Sequence, residues 1–209
     1  MADPTYIDSE DGSLTDPEAW VYIASATVST TGVSSVALTS STGTANWSQY
    51  LDLVVIAHFQ HNFSGASGIW GPMKLEANDV SSSGSYNTLR WFTVGSSAQG
   101  GVDKTSGFLP LGYHSDDSAT GGTGSAFFSG MHLTIYDINS GKGKPVISIA
   151  AAEVGENSGA GSQNGYINNN YGIILIQDAL NKLEFSTSGD WGVGSQWDLY
   201  GVLPKMVNI

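Results

Sequence analysis

The chain is predicted to be all-β, folded as an antiparallel β-sandwich, and three features of its 209 residues carry that prediction. Apolar and polar residues alternate in many short runs, the pattern of a strand with one buried face. Clusters of Gly, Ser, Asn and Asp separate these runs at the spacing of turns between short strands. The hydrophobic content is 40%, with six Trp, nine Tyr and seven Phe, which is enough to fill a core. Without it, 27 glycines and many Ser, Thr and Asn would read as disorder.

Residues 1–19 are acidic, contain Pro4 and Pro17 and lack periodicity, so they are expected to form an arm or linker that orders only against a partner. Residues 20–209 are expected to form one sandwich domain, a length that buries a core without staples. Residues 20–28 alternate as a first strand, and residues 34–38 form a short second one. In residues 51–59, Leu51, Leu53, Val55, Ala57 and Phe59 share one face. Strands are then expected at 73–77, 89–94, 126–128, 131–136, 146–149 and 173–177. A closing pair ends the domain. Leu183 and Phe185 share a face in its first strand; in its second, Trp197, Leu199 and Leu203 face the core, with Gln196, Asp198 and Tyr200 opposite. Turn clusters occupy residues 80–85, 115–125 and 157–165. A helix has room only at 178–183, where the alternation running into Phe185 favours a strand. No fixed-period repeat points to a solenoid or propeller.

Composition narrows the function classes. Cysteine is absent, which excludes disulfides and thiolate metal sites. Only 12% of residues are charged, yet the net charge is −12, and Arg90 is the single arginine. Such a surface repels nucleic-acid phosphates and anionic lipid heads, so neither nucleic acid nor membrane is expected as a partner. The first ten residues show no basic and apolar leader pattern, and no apolar run approaches membrane-spanning length. A soluble protein made in a cytoplasm is expected.

Chemical motifs are weak. His58 and His61 resemble a metal pair, but residues three apart on a strand point to opposite faces. His114, Asp116 and Asp117 lie in a glycine-rich loop without EF-hand spacing, and read more simply as a solvated loop. Gly141-Lys-Gly-Lys-Pro145 lacks the Gly-Lys-Ser/Thr ending of a phosphate loop and reads as a hairpin tip with two solvated lysines. The acid pairs Glu76 with Asp79 and Glu153 with Glu156 stand in no apolar setting that would tune them for glycoside hydrolysis. No Gly-x-Ser-x-Gly elbow is present. Asn46-Trp-Ser and Asn62-Phe-Ser match the glycosylation pattern by chance, given the absence of a leader. No catalytic, cofactor or metal residue is assigned, and an enzyme is not expected. Aromatic residues beside Gly, Asn or Ser form a different feature: Trp47 and Tyr50, Phe63 and Trp70, Tyr166 and Tyr171, and Trp191. Such settings suit carbohydrate stacking or a protein interface, or else rings that plug the ends of a sandwich.

Four segments, in order, resemble small virion proteins of tailed bacteriophages. Trp20-Val-Tyr-Ile-Ala-Ser-Ala-Thr-Val is similar to their first strand. Asn46-Trp-Ser-Gln-Tyr-Leu-Asp-Leu-Val-Val-Ile resembles their tyrosine followed by an Asp-Leu-Val strand. His132-Leu-Thr-Ile-Tyr-Asp-Ile-Asn-Ser-Gly-Lys-Gly-Lys-Pro-Val resembles their strand, lysine hairpin and return strand. Leu183-Glu-Phe with Gly194-Ser-Gln-Trp-Asp-Leu-Tyr-Gly-Val resembles their final strands. Residues 80–124 match only loosely, and Lys182 or Glu184 stands where the family often has an arginine. The resemblance implies a jelly-roll-like sandwich, a homotrimer, a place on the virion after assembly in the bacterial cytoplasm, and no catalytic residues. It implies a capsid decoration or head-fibre protein attached to other virion proteins through residues 1–19. The alternative is a tail fibre or receptor-binding protein that recognises host surface glycans, and a remoter one is a glycan-active enzyme.

Overall fold

Alternation becomes strand throughout the computed structural model, which describes residues 20–62, 72–94, 97–104, 107–113, 128–154 and 164–203. The expected arm at 1–19 and the loop carrying His114, Asp116 and Asp117 lie outside the described residues. Fourteen strands are described: β1 (Trp20–Thr27), β2 (Ser35–Thr39), β3 (Asp52–Phe59), β4 (His61–Asn62), β5 (Pro72–Ala77), β6 (Tyr86–Val94) and β7 (Ser97–Lys104), then β8 (Leu109–Tyr113), β9 (Ser129–Ile135), β10 (Lys144–Val154), β11 (Asn164–Ile174), β12 (Lys182–Ser186), β13 (Asp190–Trp191) and β14 (Gln196–Val202). The described helices are two single 3₁₀ turns, Gly43–Ala45 and Trp47–Gln49.

The strands form two antiparallel sheets packed as a sandwich, with a small two-stranded ribbon of β13 and β4. Eight of them trace a rolled-up hairpin. β1 pairs with β14, β2 with β12, β3 with β9 and β5 with β8, every pair antiparallel. The outer pairs alternate between layers, giving β1-β14-β3-β9 in one sheet and β2-β12-β5-β8 in the other. This is a jelly-roll strand order. Two inserted hairpins, β6-β7 and β10-β11, then widen the first sheet to β1-β14-β3-β9-β10-β11-β6-β7.

The strand expected at 126–128 falls at 126 and 127 outside the described residues, and Phe128 precedes β9; two further expected strands shift. The strand placed at 173–177 ends at Ile174 and begins at Asn164, because Asn168-Asn-Asn170 disguises its centre with residues that strands usually avoid. The expected β1 alternation is broken by a bulge between Tyr22 and Ala24, so Trp20 and Tyr22 point outward and Ser25 continues that face.

The core lies between the sheets. Leu53, Val55, Ala57 and Phe59 of β3 face it as expected, whereas Leu51 is 44% exposed just before the strand. At one end four rings meet: Trp197 contacts Phe59 (6.1 Å between ring centroids), Phe185 (6.1 Å) and Trp191 (4.9 Å). At the other end Tyr50 lies flat against Gly201, where an added Cβ would come within 2.3 Å of the ring. Glycine is therefore required in that closing strand. Asn139 Nδ2 donates to the Tyr50 carbonyl (2.8 Å) and holds the same corner.

The lysine hairpin departs from expectation. Lys142 is exposed, but Lys144 is buried, with its ammonium within hydrogen-bond reach of the carbonyls of Ser140 (2.9 Å), Lys142 (2.9 Å), Ile176 (2.7 Å) and Gln177 (3.1 Å). Residues 140–142 form a tight turn whose carbonyls converge inward, and only a long cationic side chain can reach all of them. Burial pushes the Lys144 pKa down, with Asp137 and Asp178 opposing the shift.

Tyr86 is a second buried polar tie. Its hydroxyl accepts from the Ala77 N–H (2.8 Å) and donates to the Val80 carbonyl (2.8 Å), closing the Asn78-Asp79 turn. Burial raises its pKa to about 12 against an ordinary 10.0. The unfolded chain therefore loses this proton at lower pH than the folded one, so stability falls as pH rises from 10 to 12. Tyr86→Phe is expected to remove that alkaline loss, roughly 2 to 3 kcal/mol at its upper end. Chemical denaturation of both proteins at pH 9 and pH 12 measures it.

Candidate interaction face

The outward faces of the two sheets differ in character. On the small sheet, Lys74, Glu76, Lys182 and Glu184 face solvent, as expected for the exposed side of an antiparallel sheet. Lys182 pairs with both Asp79 and Glu184. Glu76 stands directly opposite Glu184, and burial followed by the Glu184 charge raises its pKa.

The large sheet is reversed along β10, β11 and β6. Ser148, Asn168, Asn170 and Thr88 are buried on its inner side. Asn170 Nδ2 donates to the Leu111 carbonyl (2.8 Å) and to Ser148 Oγ (3.1 Å). The alternate residues point outward: Leu89 and Trp91 on β6, Ile149 on β10, Ile167 and Tyr171 on β11, with Val102 of β7 beside Leu89. Trp91 is 56% exposed and Val102 60%. Among the described outward residues of β10, β11 and β6 none is charged. A groove of about 500 Å³ crosses this face, walled by Leu89, Val102, Ile147, Tyr171 and Ile173.

The apolar character continues toward β1. Ile56 is exposed on β3, and Trp20 stacks near His132 (5.8 Å) and Tyr200 (6.1 Å), with Tyr22 edge-on to Tyr200 (5.8 Å). Gln196 Nε2 donates to Asp198 Oδ1 (2.7 Å) on the same face.

The aromatic residues singled out in the sequence divide sharply. Trp47, Tyr50 and Trp191 are buried at 0%, 2% and 1% exposure, so the expectation that they contact a glycan or partner is corrected to core packing. Phe63 and Trp70 lie outside the described residues, as does the side chain of Tyr166. Tyr171 is 53% exposed and lines the groove. His58 points outward next to Phe128 (5.9 Å between rings). Among the described residues no group of three or more His, Asp or Glu is placed to hold a metal ion.

The outward Leu89, Trp91, Val102, Ile149 and Ile167 escaped the sequence reading. Their alternation is legible, but a period of two does not tell which side is inside. The available signal was the polar partner series, since Thr88, Ser148, Asn168 and Asn170 are too polar for a wholly apolar core.

No protein-family model matches this chain, and no curated protein matches it in sequence. Fold and face together define a class: a jelly-roll-like sandwich with one widened sheet that carries an apolar outward patch on β6, β10 and β11.

Proposed function

We propose that this protein is a structural component of a bacteriophage virion, a capsid decoration or head-fibre protein that assembles as a homotrimer and attaches to other virion proteins through residues 1–19. The observation that carries the proposal is the apolar outer face of β6, β10 and β11, on which no described outward residue is charged. A lone soluble domain keeps such a face polar, whereas a subunit of an assembly covers it. The jelly-roll strand order supports the same reading, since capsid proteins are among its frequent users. The mechanism is assembly: the sandwich projects, and the acidic arm orders on its docking partner. Immunogold labelling or cryo-EM of purified particles tests it. Label at regular capsid positions supports the proposal, and particles that carry no copy of the chain overturn it.

A second reading, a tail fibre or receptor-binding protein that recognises host surface glycans, draws on the ring group of Trp20, Tyr22 and Tyr200 beside Gln196 and Asp198. Saturable binding on a glycan array that is lost in Trp20→Ala would replace the structural role with this one.

A further inference from the structure

The outer face of β10, β11, β6 and β7 has the properties of a contact between copies of one chain. The first is charge. At a net charge of −12, two copies repel over most of their surfaces, and the described outward residues of β10, β11 and β6, which include no carboxylate, let them approach. The second is size. Leu89, Trp91, Val102, Ile149, Ile167 and Tyr171 together expose on the order of 600 Å², against roughly 800 Å² per partner in a standard interface. The third is shape. In a closed ring of identical chains each copy offers a projection to one neighbour and a recess to the other, so one chain must carry both. This face holds both: Trp91 is 56% exposed with its ring over Gly100 of β7, and the 500 Å³ groove on the same face is walled by Leu89, Val102, Ile147, Tyr171 and Ile173.

We infer that copies of this chain associate through this face, with Trp91 of one copy seated in the groove formed by Leu89, Val102, Ile147 and Tyr171 of the next. The inference deepens the assembly reading above by naming the surface and its occupant. The buried row of Ser148, Asn168 and Asn170 fits the same arrangement. It places the polar side of these strands toward the protein's own interior and leaves the apolar side for the neighbour.

Sedimentation equilibrium of the full chain tests the inference. The wild-type protein is expected at a multiple of 21.9 kDa at micromolar concentration. Leu89→Asp, which places a charge in the apolar contact, is expected to weaken self-association by about a hundredfold. Trp91→Ala is expected to weaken it in the same direction while leaving the far-UV circular dichroism unchanged, which separates lost contact from lost fold. Ala37→Asp, on the outward side of β2, serves as the control and should leave the mass unchanged. A wild-type monomer, or an assembly that survives both Leu89→Asp and Trp91→Ala, overturns the inference. The two readings fail separately: a monomer found on particles removes this contact and the homotrimer but leaves the virion role, and an oligomer missing from particles removes only the virion role.

Discussion

Trp197→Ala is expected to destabilise the protein by about 3–5 kcal/mol, the range for truncating a fully buried aromatic side chain. Trp197 is 0% exposed and touches Phe59, Phe185 and Trp191, which arrive from β3, β12 and β13. Its removal leaves a cavity between the two sheets, where rigid rings from both layers cannot close in to fill it. A urea titration followed by circular dichroism reads the loss as a lower midpoint. Trp197→Phe keeps part of the ring contact and is expected to fall between the wild type and Trp197→Ala. An Ala variant within about 1 kcal/mol of wild type would mean that this end of the core is not packed as described.

Lys144→Met is expected to cost about 3 kcal/mol. Its stem is replaced by one of similar length, but the carbonyls of Ser140, Lys142, Ile176 and Gln177 lose their cationic donor. Each buried carbonyl left without a partner costs about 1–3 kcal/mol, and release of a buried charge returns part of that. Lys144→Arg is expected to fail as well, because a planar guanidinium does not fit a cage closed around a compact ammonium. Thermal melts of the three proteins, with Lys142→Met as the exposed control, measure the difference. Equal melting temperatures for Lys144→Met and Lys142→Met would show that the cage contributes nothing.

Both sites bear on how much of the molecule was legible beforehand. Trp197 and Leu199 were readable as core because alternation in β14 is regular. Lys144 was not. A Gly-Lys-Gly-Lys-Pro hairpin looks solvated in sequence, and only the convergence of two remote carbonyls from residues 176 and 177 makes it an interior residue. β7 was missed for a related reason: Ser-Ala-Gln-Gly-Gly-Val-Asp-Lys has no apolar alternation, and it is a strand because β6 offers it a complete ladder.

The candidate face was the least legible part. The polar and small residues that flank Trp47, Tyr50 and Trp191 suit either a contact surface or a plug at the end of a sandwich, and burial decides for the plug, because neighbours in sequence are not neighbours in space. Among the rings that do reach the surface, Trp20, Tyr22 and Trp91 lie inside strands that read as ordinary core formers, whereas Tyr171 stands beside Asn and Gly and is among the rings the sequence points to.

The sequence by itself determined the all-β class, most strand positions and the identity of the closing strands, because those rest on local alternation and turn chemistry. Only the tertiary structure decided which face of each strand is buried and that two inserted hairpins widen one sheet. Both depend on pairings between residues far apart in the chain, such as Asn170 with Ser148 and with Arg90. A period of two carries no record of the side on which the second sheet lies. The apolar face of β6, β10 and β11 became outward for that reason, and no local pattern could announce it.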